Sequence, residues 1–188
     1  MSNVHQNPVV SIVMGSDSDL DRMTEAAKMM EFFEKKAIGE ILKDYSNYNL
    51  IILGICLGMH IFFEDSEETH KTKGLNLIKG NVKKISPSNS HKTTRHIPNL
   101  GYHRIHKKFS EKKNKLFDKF NLENFYFSHS YKALNYEKKA EIFEIDYFNE
   151  SILALIIKNQ NLVGCQFHPE LSGEIGLDFI DTFIKWNN

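Results

Sequence analysis

The chain has 188 residues, 41% of them hydrophobic, which suits one soluble domain with a core of ordinary size. Lys plus Arg equals Asp plus Glu, at 24 each, so the charge balance points to neither nucleic acid nor a membrane surface. The longest apolar runs, 50–57 and 152–157, are far too short to span a bilayer, and no secretion signal is read at the N-terminus. With two cysteines, Cys56 and Cys165, a reduced cytoplasmic protein is expected.

In chain order, Pro8 opens an apolar run, Val9 to Met14, that predicts a buried strand. Gly15-Ser16-Asp17-Ser18-Asp19 follows as a polar turn, and Ser18 or Asp19 can cap a helix. Leu20, Met23, Ala27, Met30 and Phe33 recur at helical steps, and Ala37, Ile38, Ile41 and Leu42 extend an apolar face to the break at 46–49. Residues 50–55 form the next buried strand, and a helix is expected from Gly58 through Phe63 and Glu64. From Gly74 the pattern changes to short strands at 81–85, 125–129, 140–147, 152–157 and 162–167. Residues 175–186 close the chain as a helix with Ile175, Phe179, Ile180 and Phe183 on one side. The succession predicts an α/β fold, a three-layer sandwich in a single domain.

Two motifs carry chemistry. Gly54-Ile55-Cys56-Leu57-Gly58 puts a cysteine in a sharp strand-to-helix turn, with glycines where a strained turn needs them. A helix N-terminus favours the thiolate, the reactive form, and the Leu57 N–H would face a developing oxyanion. The bland alternative is a buried structural cysteine between two packing glycines. Gln166-Phe167-His168-Pro169-Glu170 ends the last strand. Pro169 stops the ladder, and Glu170 can bond one imidazole nitrogen of His168, leaving the other for Cys56. Cys165 alternates with His168 along the strand and is expected in the core.

The remaining histidines carry less. His103-x-x-His106 lies in a segment of loop character without a carboxylate cluster, so no metal site is expected, and no cofactor is called for. His129, in Phe127-Ser128-His129-Ser130-Tyr131, ends a strand that lines the site, whereas His91 and His96 read as solvated loop residues.

From about residue 34 to 188 the chain resembles the glutaminase subunit of imidazole glycerol phosphate synthase, a class I glutamine amidotransferase. The resemblance rests on six motifs in order. They are the cysteine motif through Met59, Phe63 to Glu68, Lys73 to Ile78, Pro98 to Tyr102, Tyr126 to Tyr131, and Gly164 to Glu170. It implies a flavodoxin-like fold with Cys56 as nucleophile, His168 as base and Glu170 as its orienter. It also implies oxyanion or substrate contacts at Leu57, Gly58, His60, His129, Ser130 and Tyr131. The substrate implied is glutamine, and the partner a separate ammonia-accepting synthase subunit of the cyclase-barrel type. Relatives of this subunit also feed ammonia to enzymes that amidate surface sugars.

Residues 8–31 resemble something else, the start of carboxyaminoimidazole ribonucleotide mutase, whose Gly-Ser-x-Ser-Asp loop matches Gly15, Ser16, Asp17 and Ser18. Such a loop at a helix N-terminus can hold phosphate. The mutase's Ser-Ala-His-Arg motif is absent, so mutase activity is not expected. The glutaminase family's Pro-Gly-Val-Gly oxyanion loop is also absent before Cys56, His60 stands where the family has Gln, and Tyr102-His103 replaces Trp-Asn. The expectation is a truncated or replaced N-terminal part: a βα unit at 8–33 joined to a glutaminase-like remainder at 34–188. Three functions stay open: a glutaminase subunit, a catalytically impaired chimera or relic, and a small phosphate-ligand binder.

Overall fold

A computed structural model describes residues 9–13 along the backbone, and 51–68, 72–87, 94, 96–108, 115–137, 139–159 and 161–186. The helix expected across 20–42 and the Gly15–Ser18 loop lie outside the described residues. In chain order, β1 (Val9–Val13) and β2 (Ile51–Ile55) are followed by α1 (Leu57–His60), a single turn. Next come β3 (Asp65–Ser66), β4 (Thr72–Lys73), β5 (Asn81–Lys84), β6 (Asn99–Arg104) and β7 (His106–Lys107). Then follow β8 (Asn124–His129), β9 (Tyr131–Leu134), β10 (Glu141–Tyr147), β11 (Glu150–Lys158), β12 (Leu162–Cys165) and α2 (Gly173–Lys185).

The main sheet has the order β1-β2-β12-β11-β10-β7. Its β1, β2 and β12 run parallel, while β11, β10 and β7 are antiparallel to their neighbours. Period-two alternation splits each strand between two cores. In β2, Ile52 packs into one core, and Ile51, Leu53 and Ile55 into the other. In β12, Leu162 joins the first core, and Val163 and Cys165 the second. In β11 the alternation breaks at a bulge: Phe143 faces Leu155 and Glu144 faces Leu153, so Ala154 is the extra residue. Ala154 and Leu155 then both face the second core, as a bulge permits.

One face of the sheet is covered by α1 and by a small sheet, β4-β3-β5-β9, through Leu57, Met59, Val82 and Ala133. The other is covered by α2 and the β6–β8 ribbon, through Phe179, Phe183, Phe125 and Phe127. This is the three-layer α/β arrangement expected. The second core is largely aromatic. Phe125 stacks on Phe167 with ring centroids 4.0 Å apart, and Phe179 meets the edges or faces of Phe117, Phe120, Phe125 and Phe167. Each such pair adds about 1 kcal/mol beyond its buried area, so α2 is held firmly under the end of β12.

Two expectations need correction. The helix after the cysteine ends at His60 rather than running through Glu64. The Glu64 N–H, which would bond to His60 O in a longer helix, donates instead to Gly80 O at 3.0 Å, and a segment from elsewhere takes the carbonyls that follow α1. Leu75 N–H donates to Ile61 O at 2.8 Å, Ile78 N–H to Phe62 O at 2.8 Å, and Asn76 N–H to Phe63 O at 3.1 Å. The segment around Tyr102, read as loop, is strand β6, paired with β8 from Asn99–His129 to Arg104–Asn124. Its outward residues Leu100, Tyr102 and Arg104 are exposed, which hides the apolar signal of a strand.

The turn between β2 and α1 has no room to spare. A Cβ at Gly54 would lie 2.6 Å from the Gly58 carbonyl oxygen and 2.6 Å from the ring of fully buried Phe62. At Gly164 the obstacle is the flexible side chain of Met59, also at 2.6 Å. Gly54→Ala should therefore destabilise by about 3 kcal/mol and Gly164→Ala by about 1 kcal/mol, the two ends of the usual overpacking range. Urea unfolding at constant slope measures both; equal midpoints for parent and Gly54→Ala would contradict the crowding.

Candidate active site

Cys56 stands between β2 and α1 with φ 52° and ψ −109°, a backbone conformation that costs a non-glycine residue about 1–3 kcal/mol. Three backbone hydrogen bonds hold it there. Its N–H donates to Cys165 O at 2.7 Å, and its carbonyl accepts from the N–H groups of Met59 at 3.0 Å and His60 at 3.2 Å. The thiol is 2% exposed. It donates toward Ser128 O at 3.9 Å and accepts from Gln166 Nε2 at 3.6 Å. Leu57 and Gly58 follow directly, buried in the first turn of α1.

His168 comes three residues after β12, its backbone fixed from two sides. Its N–H donates to Tyr126 O at 2.8 Å, and its carbonyl accepts from Ser172 Oγ at 2.7 Å. Its Nδ1 lies 2.7 Å from Glu170 Oε1. An ionised carboxylate only accepts, so Nδ1 carries a hydrogen, and in the neutral ring the lone pair is on Nε2. Nε2 is buried and has no hydrogen-bond partner among the described residues. The thiol of Cys56 is thus directed to Ser128 and Gln166 rather than bonded to His168. Burial pushes the Glu170 carboxyl up, but the hydrogen bond from His168 and its own backbone N–H outweigh this and hold it below its usual range.

The other predicted positions separate clearly. His129 is fully buried, with Nδ1 2.7 Å from Tyr131 O and Nε2 2.9 Å from Asn99 Nδ2. Both its nitrogens are therefore spent on the protein. Burial pushes its pKa down to about 3, and the neighbouring histidines 60, 103 and 168 add to the effect against the raising bond from Tyr131. Ser130 closes the β8–β9 turn, accepting from Ile85 N–H at 2.8 Å, and Tyr131 packs against the first core. Cys165 lies in the second core, on the face opposite Gln166, and burial pushes its thiol well above the usual range. His103 and His106 sit on strands, and no metal-binding group of three or more ligands occurs among the described residues.

Sequence reasoning missed two members of this site. Gln166 and Glu68 are both buried, and both contact His60: Nδ1 lies 2.7 Å from Glu68 Oε2 and Nε2 lies 2.8 Å from Gln166 Oε1. The available signal was strand alternation, which puts Gln166 on the same face as His168.

The glutamine amidotransferase class-I family profile matches residues 33–185. Among known proteins, the chain is 36% identical over 160 residues to the imidazole glycerol phosphate synthase subunit HisH of Sulfurimonas denitrificans, covering 85% of this chain and 74% of that one. It is 36% identical over 171 residues to HisH 2 of Methanococcus maripaludis, covering 90% and 75%. A solved glutamine amidotransferase shares the fold, with a TM-score of 0.63 at 10% identity over 95% of this chain and 78% of that one. The chain belongs to the class I glutamine amidotransferases, in the family of HisH subunits of imidazole glycerol phosphate synthase. No helix among the described residues is long and apolar enough to cross a membrane.

A pH effect follows from His129. Its folded-state pKa of about 3 lies below the ordinary value near 6.5, so the unfolded chain binds the extra proton first. Its contribution to stability is fully present above about pH 6.5 and is lost as pH falls from there toward 3, by about 1.4 kcal/mol per pH unit. Urea unfolding at a series of pH values should show this slope, and His129→Gln should flatten it while lowering stability at neutral pH.

Proposed function

We propose that this chain takes ammonia from the side chain of glutamine and supplies it to a synthase subunit. The observation that supports the reading is that Cys56 directly follows β2 and the bonded pair His168–Glu170 follows β12, its parallel neighbour, in a chain of this family. In this mechanism the proton of Cys56 passes to His168 Nε2, and the thiolate attacks the amide carbon of glutamine. The tetrahedral oxyanion is met by the Leu57 N–H. His168 then gives the proton to the leaving nitrogen, and ammonia departs from a γ-glutamyl thioester. Water, deprotonated by His168, attacks the thioester and releases glutamate and the Cys56 thiol. Glu170 keeps the Nδ1–H tautomer throughout and stabilises the imidazolium formed in each half.

The ammonia acceptor proposed is the synthase subunit implied by the relatives' name, of cyclase-barrel type, and the pathway is histidine biosynthesis. A second reading has its own support. The family match begins at residue 33, and the loop Gly15–Ser18 precedes it. In that reading residues 8–33 are a replaced βα unit, and the oxyanion hole lacks one donor, a loss that costs about a hundred- to a thousandfold in turnover.

Glutamate release by the chain with its synthase partner tests the proposal. Cys56→Ala should abolish it, by at least about ten-thousandfold, as loss of a nucleophile does. A glutamine-like diazo-ketone should form an adduct at Cys56, read by peptide mass. No adduct, with or without the partner, would sink the proposal. An adduct with turnover reduced a hundredfold or more against other family members would favour the second reading.

A further inference from the structure

A second polar chain reaches Cys56, separate from its contact with Ser128. It runs from Glu68 Oε2 to His60 Nδ1 at 2.7 Å, from His60 Nε2 to Gln166 Oε1 at 2.8 Å, and from Gln166 Nε2 to Cys56 Sγ at 3.6 Å. Its members are buried: Gln166 is 0% exposed, and the side chains of His60 and Glu68 are 1% and 4% exposed. None of these three belongs to the proposed Cys56–His168–Glu170 triad.

The donor and acceptor pattern restricts the charges. With the amide in this orientation, Glu68 Oε2 and Gln166 Oε1 are both acceptors, so His60 donates from both nitrogens. A neutral His60 donating to Glu68 would point its Nε2 lone pair at an oxygen 2.8 Å away, with nothing between them to bond. The imidazolium form satisfies both contacts, and the adjacent Glu68 carboxylate compensates its charge in the interior. With Oε1 held by His60, the Gln166 amide has one orientation left, and its N–H group faces Sγ. A thiolate accepts that hydrogen better than a thiol does. If His60 loses its proton, the amide gains by turning over, donating to His60 Nε2 and presenting its oxygen to the sulfur. That arrangement accepts a thiol hydrogen and repels a thiolate.

We propose that Glu68 and His60 act as positioning residues which, by fixing the orientation of the Gln166 amide, hold Cys56 as the thiolate. No proton moves along this chain. Only the dipole of Gln166 is set by it, and the proton of Cys56 still leaves to His168 Nε2. The inference rests on Cys56 being the glutaminase nucleophile, but its test needs neither glutamine nor turnover. Other groups facing these residues among those described are His129, which couples to His60, and the carbonyl of Ser128, which favours the thiol. His168 with Glu170 stands in the turn that follows β12, and Cys165 couples to Cys56. All stay unchanged in the variants below.

The ultraviolet absorbance of the thiolate, followed against pH as the difference from Cys56→Ser, reads Cys56 alone because Cys165 is common to both. His60→Gln, which keeps hydrogen-bonding capacity and removes the charge, should move the midpoint up by about one pH unit, equivalent to roughly tenfold less thiolate below it. Glu68→Gln should move it in the same direction. An unchanged midpoint in a folded His60→Gln, judged by circular dichroism, overturns the proposal. If His60→Gln does not fold, Glu68→Gln decides in the same way. In the unsubstituted protein, nitrogen NMR of the histidine rings should show both nitrogens of His60 protonated while Cys56 is a thiolate. A neutral His60 in that state overturns the proposal without any variant. Glutaminase failure with the expected shifts intact would count against the functional reading alone.

Discussion

Everything at this site depends on the parallel pairing of β2 with β12. The two strands come from opposite halves of the chain, yet their register sets Gly54 against Gly164 and Ile55 against Cys165. Parallel neighbours end at the same edge of a sheet. The residues that follow them, Cys56 on one side and Gln166 to His168 on the other, are therefore delivered to one place. The last rung, Cys56 N–H to Cys165 O at 2.7 Å, extends this pairing to Cys56 itself. A one-residue slip would turn Cys56 and Gln166 to opposite faces.

The pairing must also hold a strained residue. Cys56 occupies a positive φ that its side chain disfavours, and the surrounding packing supplies the compensation. Gly54 and Gly164 let Phe62 and Met59 close on the turn from the first core. On the other face, Phe167 is locked into the aromatic cluster with Phe125 and Phe179. Because Phe167 is pinned inward, its neighbour Gln166 turns the other way and reaches His60 and Cys56. Apolar packing on one face of β12 thus decides where the polar groups of the other face stand.

The polar groups are arranged in separate sets, each oriented by its own partners. His168 is oriented by Glu170, His129 by Tyr131 and Asn99, and His60 by Glu68 and Gln166. The environments push them apart. His129 is kept neutral by burial, Glu170 stays ionised through its bond to His168, and Cys165 remains a thiol in the core. Of the three histidines, only His168 has a buried ring nitrogen without a partner among the described residues, which is the condition for a group that accepts a proton during a reaction.

Much was legible in the residues alone. Unbroken apolar runs marked β2, β11 and β12, and helical periodicity marked α2, because burial on two faces or one leaves a direct trace in composition. Alternation placed Cys165 in the core and His168 opposite it. The short motifs around Cys56 and His168 carried the family, since a nucleophile turn and a proline-terminated strand need particular residues at fixed spacing. Other features left no local trace. Strand β6 exposes Leu100, Tyr102 and Arg104 and exists through its pairing with β8. The early end of α1 is imposed from a distance: Glu64 N–H turns to Gly80 O, and residues 75–78 take the carbonyls of 61–63. The contacts of Glu68, His60 and Gln166 join positions up to 106 residues apart. Sequence determined the strands β2, β11 and β12, the helix α2 and which side chains bring chemistry. Tertiary structure alone decided which of those side chains meet, because hydrogen bonds between distant segments depend on register and packing that no local pattern encodes.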